Sequence, residues 1–392
     1  MAMMAAGQRT RLLVGTYTRK EDHVDGKGNG IYTVSIDHAT GKMVLSHVNE
    51  NAGVNPSFVV VKGSSAYAVN EHSDALQDTF PHGSGMVVSF TLDEQGRLHR
   101  TSEHPSRGGF PCHLSIDPAG SFVAVANYGG GNVSVFPIDR RNGKLHDSSG
   151  FVQMTGASLA NPQRQEAPHC HSTTWLSPTT LAIVDLGSDK ISHQFLSPGG
   201  TCLQLKYASY AYPFLGALTQ HPDADDMTLP PGSGPRHLDI HPTLPLAYVV
   251  HELSNKLSVH TIDANRGLLS TPLQTVSLVS AAFKAKSSVE SIAAEVRVSK
   301  CGHFVLASVR GIDQLAVFRI TYPAGLLSAP QYVSSQGTVP RHFTLVGTDL
   351  VVVANQNSHS IVSYRLSSLD GVVPTGHSLH IPSPSCVAVV VS

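Results

Sequence analysis

One short phrase returns seven times along this chain: Pro56-Ser57-Phe58, Pro111-Cys112-His113, Pro168-His169-Cys170-His171, Pro235-Arg236-His237, Ala294-Glu295-Val296, Pro340-Arg341-His342 and Pro384-Ser385-Cys386. A chain that repeats one unit at this scale folds each copy alike and buries its faces against its neighbours. Most copies lead into an apolar-rich stretch and a small-residue turn such as Pro118-Ala119-Gly120 or Lys300-Cys301-Gly302. A second apolar run follows, ending in a polar pair such as Asn127-Tyr128 or Asn355-Gln356. A third run has alternating character, as in Asn132-Val133-Ser134-Val135-Phe136. With a fourth run before the next phrase, the unit has the size and strand count of a β-propeller blade.

The repeat prolines stand 55, 57 and 67 residues apart from Pro56 to Pro235, then 105 across two units to Pro340 and 44 to Pro384. Six complete units fit between them. The seventh is split: Pro384 to Val391 supplies one strand, while Leu12 to Tyr17, Gly30 to Ile36 and the run near Val44 supply the others. The expected fold is therefore all-β, a seven-bladed propeller closed by N- and C-terminal strands, with residues 1–10 as a tail and 11–392 as the propeller. Closure removes the exposed edges of an open sheet.

Composition agrees: 41% of the 392 residues are apolar, while 34 glycines and 24 prolines punctuate turns. A net charge of −1 with 22 histidines gives no field that would recruit nucleic acid or an anionic membrane, so a small molecule is the expected partner. No apolar run approaches the roughly 18 residues of a membrane span, and Met1 to Arg11 is too short and weakly apolar for a signal peptide. A cytoplasmic protein is expected. The five cysteines are odd in number and lack C-x-x-C spacing, which suggests reduced thiols; Cys112, Cys170 and Cys386 read as small buried residues beside the channel.

Length varies mainly ahead of the phrase, in Gln153 to Ala167, Ala208 to Ser233 and Val276 to Ile292, which read as inter-blade loops. If the phrase begins the innermost strand, its start and the end of the antiparallel second strand share one end of the blade with those loops. One channel mouth then collects the variable material.

A purely structural strand start would favour β-branched or aromatic residues, yet the phrases carry His113, His169, His171, Arg236, His237, Glu295, Arg341 and His342. The ends of the second strands add Glu71, Tyr128, Glu252, Arg310 and Gln356. Glu252 and Arg310 are the chemically potent pair, weighed against inter-blade salt bridges that merely hold the ring; for Glu71 the structural role is preferred. Several cations around a narrow channel repel one another unless Glu252, Glu295 or a bound anion balances them, which points to an anionic ligand. His169 and His171 are two apart and could chelate a metal, but Arg236 close by and the lack of a carboxylate-rich cluster argue against one. Phosphate loops and serine nucleophile elbows are absent from the sequence.

The stretches GGFPCHLSIDPAGSFVAVANYGGGNVSVF, APHCHS, GSGPRHLDIHP, AAEVRVSKCGHFVLASVRGIDQLAVF and PRHFTLVGTDLVVVANQNS resemble the seven-bladed propeller lactonase family, nearly over the whole chain and in order. That family includes 6-phosphogluconolactonases and carboxy-muconate cyclases. The resemblance implies a polar site on His171, Arg236, Glu252 and Arg310, with His169, His237, Glu295 and Arg341 around it. Two turns depart from the family pattern: SKCGHF has no Asp before its Gly, and PRHFTLVGTDL lacks the Asp-Pro-x-Gly turn.

The implied substrate is a small anionic lactone, most simply 6-phosphoglucono-1,5-lactone, hydrolysed without metal or other cofactor by a monomer or weak homo-oligomer. Arg236 and Arg310 or Arg341 would hold its anionic group. Glu252, or failing it Glu295 or His171, would activate water. A muconate-type cyclase and a non-catalytic metabolite- or protein-binding propeller are the alternatives.

Overall fold

The fold is known from a computed structural model, which describes residues 8–76, 78–79, 82–197, 217–222, 225–281 and 289–390. Cys202 and parts of the Ala208 to Ser233 and Val276 to Ile292 stretches lie outside the described residues.

Seven antiparallel sheets form the ring. Blade 1 begins with Phe58–Lys62, blade 2 with Pro111–Ile116, blade 3 with Cys170–Trp175, blade 4 with Pro235–Ile240, blade 5 with Ile292–Val298 and blade 6 with Pro340–Val346. Blade 7 joins the C-terminal strand Pro384–Val390 to Arg9–Thr16, Ile31–Asp37 and Met43–Asn49, so the split unit closes the ring as its sequence requires. The first of these N-terminal strands starts at Arg9 and pairs with Asp37. One expectation needs correcting: Ala208 to Ser233 is not simply a loop, since it contains the outer strands Ala217–Gln220 and Met227–Thr228 of blade 3.

The core lies between the blades. Seven apolar clusters occupy the seven blade-to-blade junctions. Strand Leu246–His251 shows why its sequence is continuously apolar: Leu246, Tyr248 and Val250 pack toward blade 5, whereas Ala247 and Val249 pack toward blade 3. A second strand is covered on both faces, so no polar residue alternates along it.

The two departing turns keep their geometry by other means. In blade 2, Asp117 accepts hydrogen bonds from the amides of Ser121 and Phe122 through its carboxylate. In blade 5, Ser299 Oγ takes the amide of Phe304 at 3.0 Å. Gly302 closes that turn at φ 73°, a left-handed conformation that glycine adopts without penalty. In blade 6, Gly347 serves at φ 64°.

Two backbone devices aim side chains at the channel. The residue before the phrase is left-handed in five blades: Asn55, Phe110, Gly234, Val339 and Ser383 have φ of 47°, 52°, 58°, 59° and 45°. Its carbonyl accepts the amide of the residue ending the second strand, which fixes Glu71, Tyr128, Glu252, Gln356 and Tyr17 at the mouth. For β-branched Val339 this conformation costs about 1–3 kcal/mol, a strain the surrounding structure must hold. Just inside, six of the seven blades carry a β-bulge, at Cys112, His171, Arg236, the Ala294–Glu295 pair, Arg341 and Ser385. A bulge inserts one extra residue and re-aims its side chain, so two successive residues per blade can face the channel where a regular strand presents one.

Candidate functional site

The bulged residues His171, Arg236 and Arg341 and the second-strand ends form an outer ring of polar groups; His237 and His342, which follow the bulges, and Glu295, the second residue of the blade 5 bulge, form an inner ring. Glu252 of blade 4 organises the outer ring and is 2% exposed. Its Oε2 lies 2.9 Å from Arg236 Nε and 2.8 Å from an Arg310 terminal nitrogen, while Oε1 accepts a hydrogen bond from Arg164 at 2.6 Å. His171 Nε2 is 3.8 Å from Oε2. The guanidinium contacts to Oε2 are close but poorly directed, and Oε2 receives no well-formed hydrogen bond. A buried acceptor left in this state calls for an explanation, and a reacting water or ligand is one. Burial alone would raise the Glu252 pKa, but Arg310, Arg236 and Arg164 outweigh it and hold the carboxyl well below its ordinary value. Burial, reinforced by Arg236, pushes the His171 imidazole well below its own.

Arg236 is fixed from three directions. Besides Glu252, it donates to the carbonyl of Ala294 at 2.7 Å and lies 3.3 Å from His237 Nε2. His237 Nδ1 lies 3.0 Å from Glu295 Oε2, and since a carboxylate can only accept, Nδ1 carries the proton and Nε2 is free to accept from Arg236. Glu295 thus belongs to the inner ring, with His237, with His342 at 3.2 Å and with Arg297 at 3.4 Å. The neighbouring imidazoles of His113 and His342 are pushed down to about 3, chiefly by burial. They are neutral at pH 7.

Arg341 differs from the other channel arginines. Its guanidinium sits over the Tyr17 ring, 5.2 Å from the centroid, and has no carboxylate within ion-pair distance among the described residues. Burial disfavours its charge, while Tyr17, Glu71 and Glu252 more than offset that. It lines a narrow cleft at the mouth together with Arg236, His237 and His342 from blades 4 and 6, and Tyr17 and Glu71 from blades 7 and 1.

Of the eight residues singled out from sequence, His171, Arg236, Glu252 and Arg310 meet directly. His237 and Glu295 support them from the inner ring, and Arg341 stands free across the cleft. His169 lies beside the cluster rather than in it: its ring stacks on Tyr128 at 4.4 Å, and its nitrogens reach the Tyr128 carbonyl and Glu166, each at 3.0 Å. The two histidines considered as a chelating pair therefore take different partners, and no group of three metal-ligating side chains occurs among the described residues.

Sequence reasoning missed Arg164, Tyr17 and Ser57. Arg164 lies in the Gln153 to Ala167 loop, where no repeat marks it. Tyr17 is the blade 7 counterpart of Glu252, by the same amide bond to the preceding phrase, but the split unit hides that relation.

A model of the family described as "Lactonase, 7-bladed beta-propeller" matches residues 11–389. The chain is 30% identical over 384 residues to a 6-phosphogluconolactonase of Bacillus subtilis (strain 168), covering 95% of this chain and 96% of that one. It is 29% identical to a 6-phosphogluconolactonase of Formosa agariphila, with 90% and 92% of the two chains covered. Among solved structures, the periplasmic gluconolactonase of Pseudomonas aeruginosa superposes with a TM-score of 0.82 at 29% identity, covering 98% of this chain and 99% of that one.

Proposed function

This chain belongs to the seven-bladed β-propeller lactonase family, and from that premise we propose that it hydrolyses 6-phosphoglucono-1,5-lactone to 6-phosphogluconate at the channel mouth. The observation that carries the reading is the Glu252 cluster with unpaired Arg341 beside it. Four outer-ring guanidiniums, of Arg164, Arg236, Arg310 and Arg341, face two carboxylates, of Glu252 and Glu71. Arg236 and Arg310 are withdrawn from water, while Arg164, with a third of its side chain exposed, adds a screened charge; with Arg341 they leave a positive surplus over the two carboxylates that favours an anionic ligand, such as a phosphate monoester.

The chemistry uses side chains of this chain. Two polar atoms 3.8 Å apart, His171 Nε2 and Glu252 Oε2, can both contact one water. That water attacks the lactone carbonyl carbon and gives its proton to His171. Glu252 is the poorer proton acceptor, because three guanidiniums stabilise its ionised form; it orients the water and stabilises the imidazolium. Arg236 and Arg310 stabilise the tetrahedral oxyanion. When the ring C–O bond breaks, the leaving alkoxide takes the proton from His171, and the carbonyl carbon becomes a carboxylic acid that releases its remaining proton to water as the carboxylate. Arg341 holds the phosphate.

Supporting a cytoplasmic setting, Cys112, Cys170 and Cys386 are buried free thiols, a state reducing compartments maintain. No helix among the described residues is long and apolar enough to cross a membrane. One chain carries the whole proposed site, so turnover requires no second copy.

Product analysis tests this. The lactone should yield the open acid, and with glucono-1,5-lactone, which has no phosphate to titrate at about pH 6, kcat/KM should hold level as pH falls through the ordinary histidine range, because burial and Arg236 keep the His171 pKa below that range and three guanidiniums keep Glu252 ionised. A rate that falls tenfold per unit below pH 6.5 contradicts the assignment of the base. Ring closure of a dicarboxylic acid without lactone opening supports a cyclase instead, and binding without turnover supports a non-catalytic propeller.

A further inference from the structure

The cleft has a second polar cluster that the proposed chemistry does not use. Glu71 of blade 1 is 4% exposed and lines the cleft beside Arg341. Its Oε2 accepts hydrogen bonds from the Tyr17 hydroxyl at 2.9 Å and from Ser57 Oγ at 2.5 Å. Its Oε1 has only His23 Nε2 nearby, at 3.4 Å, among the described residues. One oxygen is thus committed to holding the carboxylate in place, and the other retains acceptor capacity.

A structural ion pair would bring Arg341 onto Glu71, the nearest acid in its own cleft. Instead the guanidinium lies over the Tyr17 ring and leaves the carboxylate to the Tyr17 and Ser57 hydroxyls and to His23. A cation and an anion held apart in one cleft suit a ligand that has both an anionic group and hydroxyl groups.

We propose that Glu71, positioned by Tyr17 and Ser57, is a hydroxyl-binding subsite that selects polyhydroxylated lactones and repels ligands bearing a carboxylate at that position. The inference rests on the lactonase reading above and deepens it. An ionised carboxylate is acceptor-only, so hydroxyl groups satisfy it and a second carboxylate does not. The charge state agrees with the geometry: burial raises the Glu71 pKa, but His23, Arg341 and Ser57 outweigh it and leave the carboxyl below its ordinary value. Sites built to hydrogen-bond a hydroxyl reject analogues that lack it, and a fixed like charge is the repulsive element specificity often needs.

The test compares wild type with Glu71→Gln on two ligands: turnover of 6-phosphoglucono-1,5-lactone, and inhibition by the dicarboxylate muconate. The subsite predicts opposite signs, with kcat/KM for the lactone falling about 10- to 100-fold and inhibition by muconate tightening about tenfold. Equal weakening of both ligands, as from a merely structural role, overturns it, as does no change in either. Should Glu71→Gln fail to fold, Ser57→Ala keeps the charge and removes one orienting donor. It should lower lactone kcat/KM about threefold to tenfold without tightening muconate, and unchanged lactone turnover overturns the subsite. A wild-type protein that does not hydrolyse the lactone overturns the lactonase reading, and the subsite with it. Wild-type hydrolysis without the crossover in Glu71→Gln overturns the subsite alone.

Discussion

Replacing Glu252 by Gln is expected to lower kcat for 6-phosphoglucono-1,5-lactone by more than about a hundredfold while the propeller stays folded. Gln keeps the shape but removes the charge that three guanidiniums converge on. It also places an amide beside the proposed water, where Oε2 now offers an acceptor. The neutral side chain no longer stabilises the imidazolium of His171, and Arg236 loses one of its three restraints. His171→Asn should cost a similar factor, and the double variant little more, since groups acting on one water lose their effect together rather than additively. Breaking a buried ion pair also costs about 3–5 kcal/mol of stability, so a thermal melt must accompany the kinetics. The seven inter-blade clusters should absorb that loss. Near-normal turnover in a folded Glu252→Gln protein would leave the cluster a structural ion-pair network.

Arg341→Ala should separate the anion clamp from the reacting centre. A charge-assisted hydrogen bond contributes about 1.5–3 kcal/mol, so kcat/KM for the phosphorylated lactone should fall about 10- to 150-fold. The same variant should hydrolyse the unphosphorylated lactone almost as wild type does. This prediction depends on Arg341 having no carboxylate partner to release among the described residues, unlike Arg236 and Arg310. A fall of equal size for both lactones would place Arg341 at the reacting carbonyl rather than at the phosphate.

The ring, its split closure and the mouth were legible because they follow from where a phrase recurs. The phrase marks the innermost strand, and each second strand must return to the same end. Glu252, Arg236 and Arg310 could be read as neighbours by that reasoning alone, although 74 residues separate Arg236 from Arg310. The two-ring layering could not. A regular strand alternates its faces, and only the repeated bulge lets Arg236 and His237, or Arg341 and His342, both reach the channel. That is why Glu252 and Glu295 looked like rivals for one role, when the inner ring holds Glu295 against His237 and His342. Arg164 escaped notice because an unrepeated loop carries no register. The role of Glu71 depended on Tyr17, which stands at the mouth end of a blade that the chain completes only with its last strand.

The most direct test measures wild-type kcat/KM side by side on freshly prepared 6-phosphoglucono-1,5-lactone and on glucono-1,5-lactone, each corrected for spontaneous opening. The account predicts hydrolysis of the phosphorylated lactone well above background, preferred at least about tenfold, as one charge-assisted contact to the phosphate requires. Equal rates on the two lactones, or no rate above background on the phosphorylated one, would contradict it.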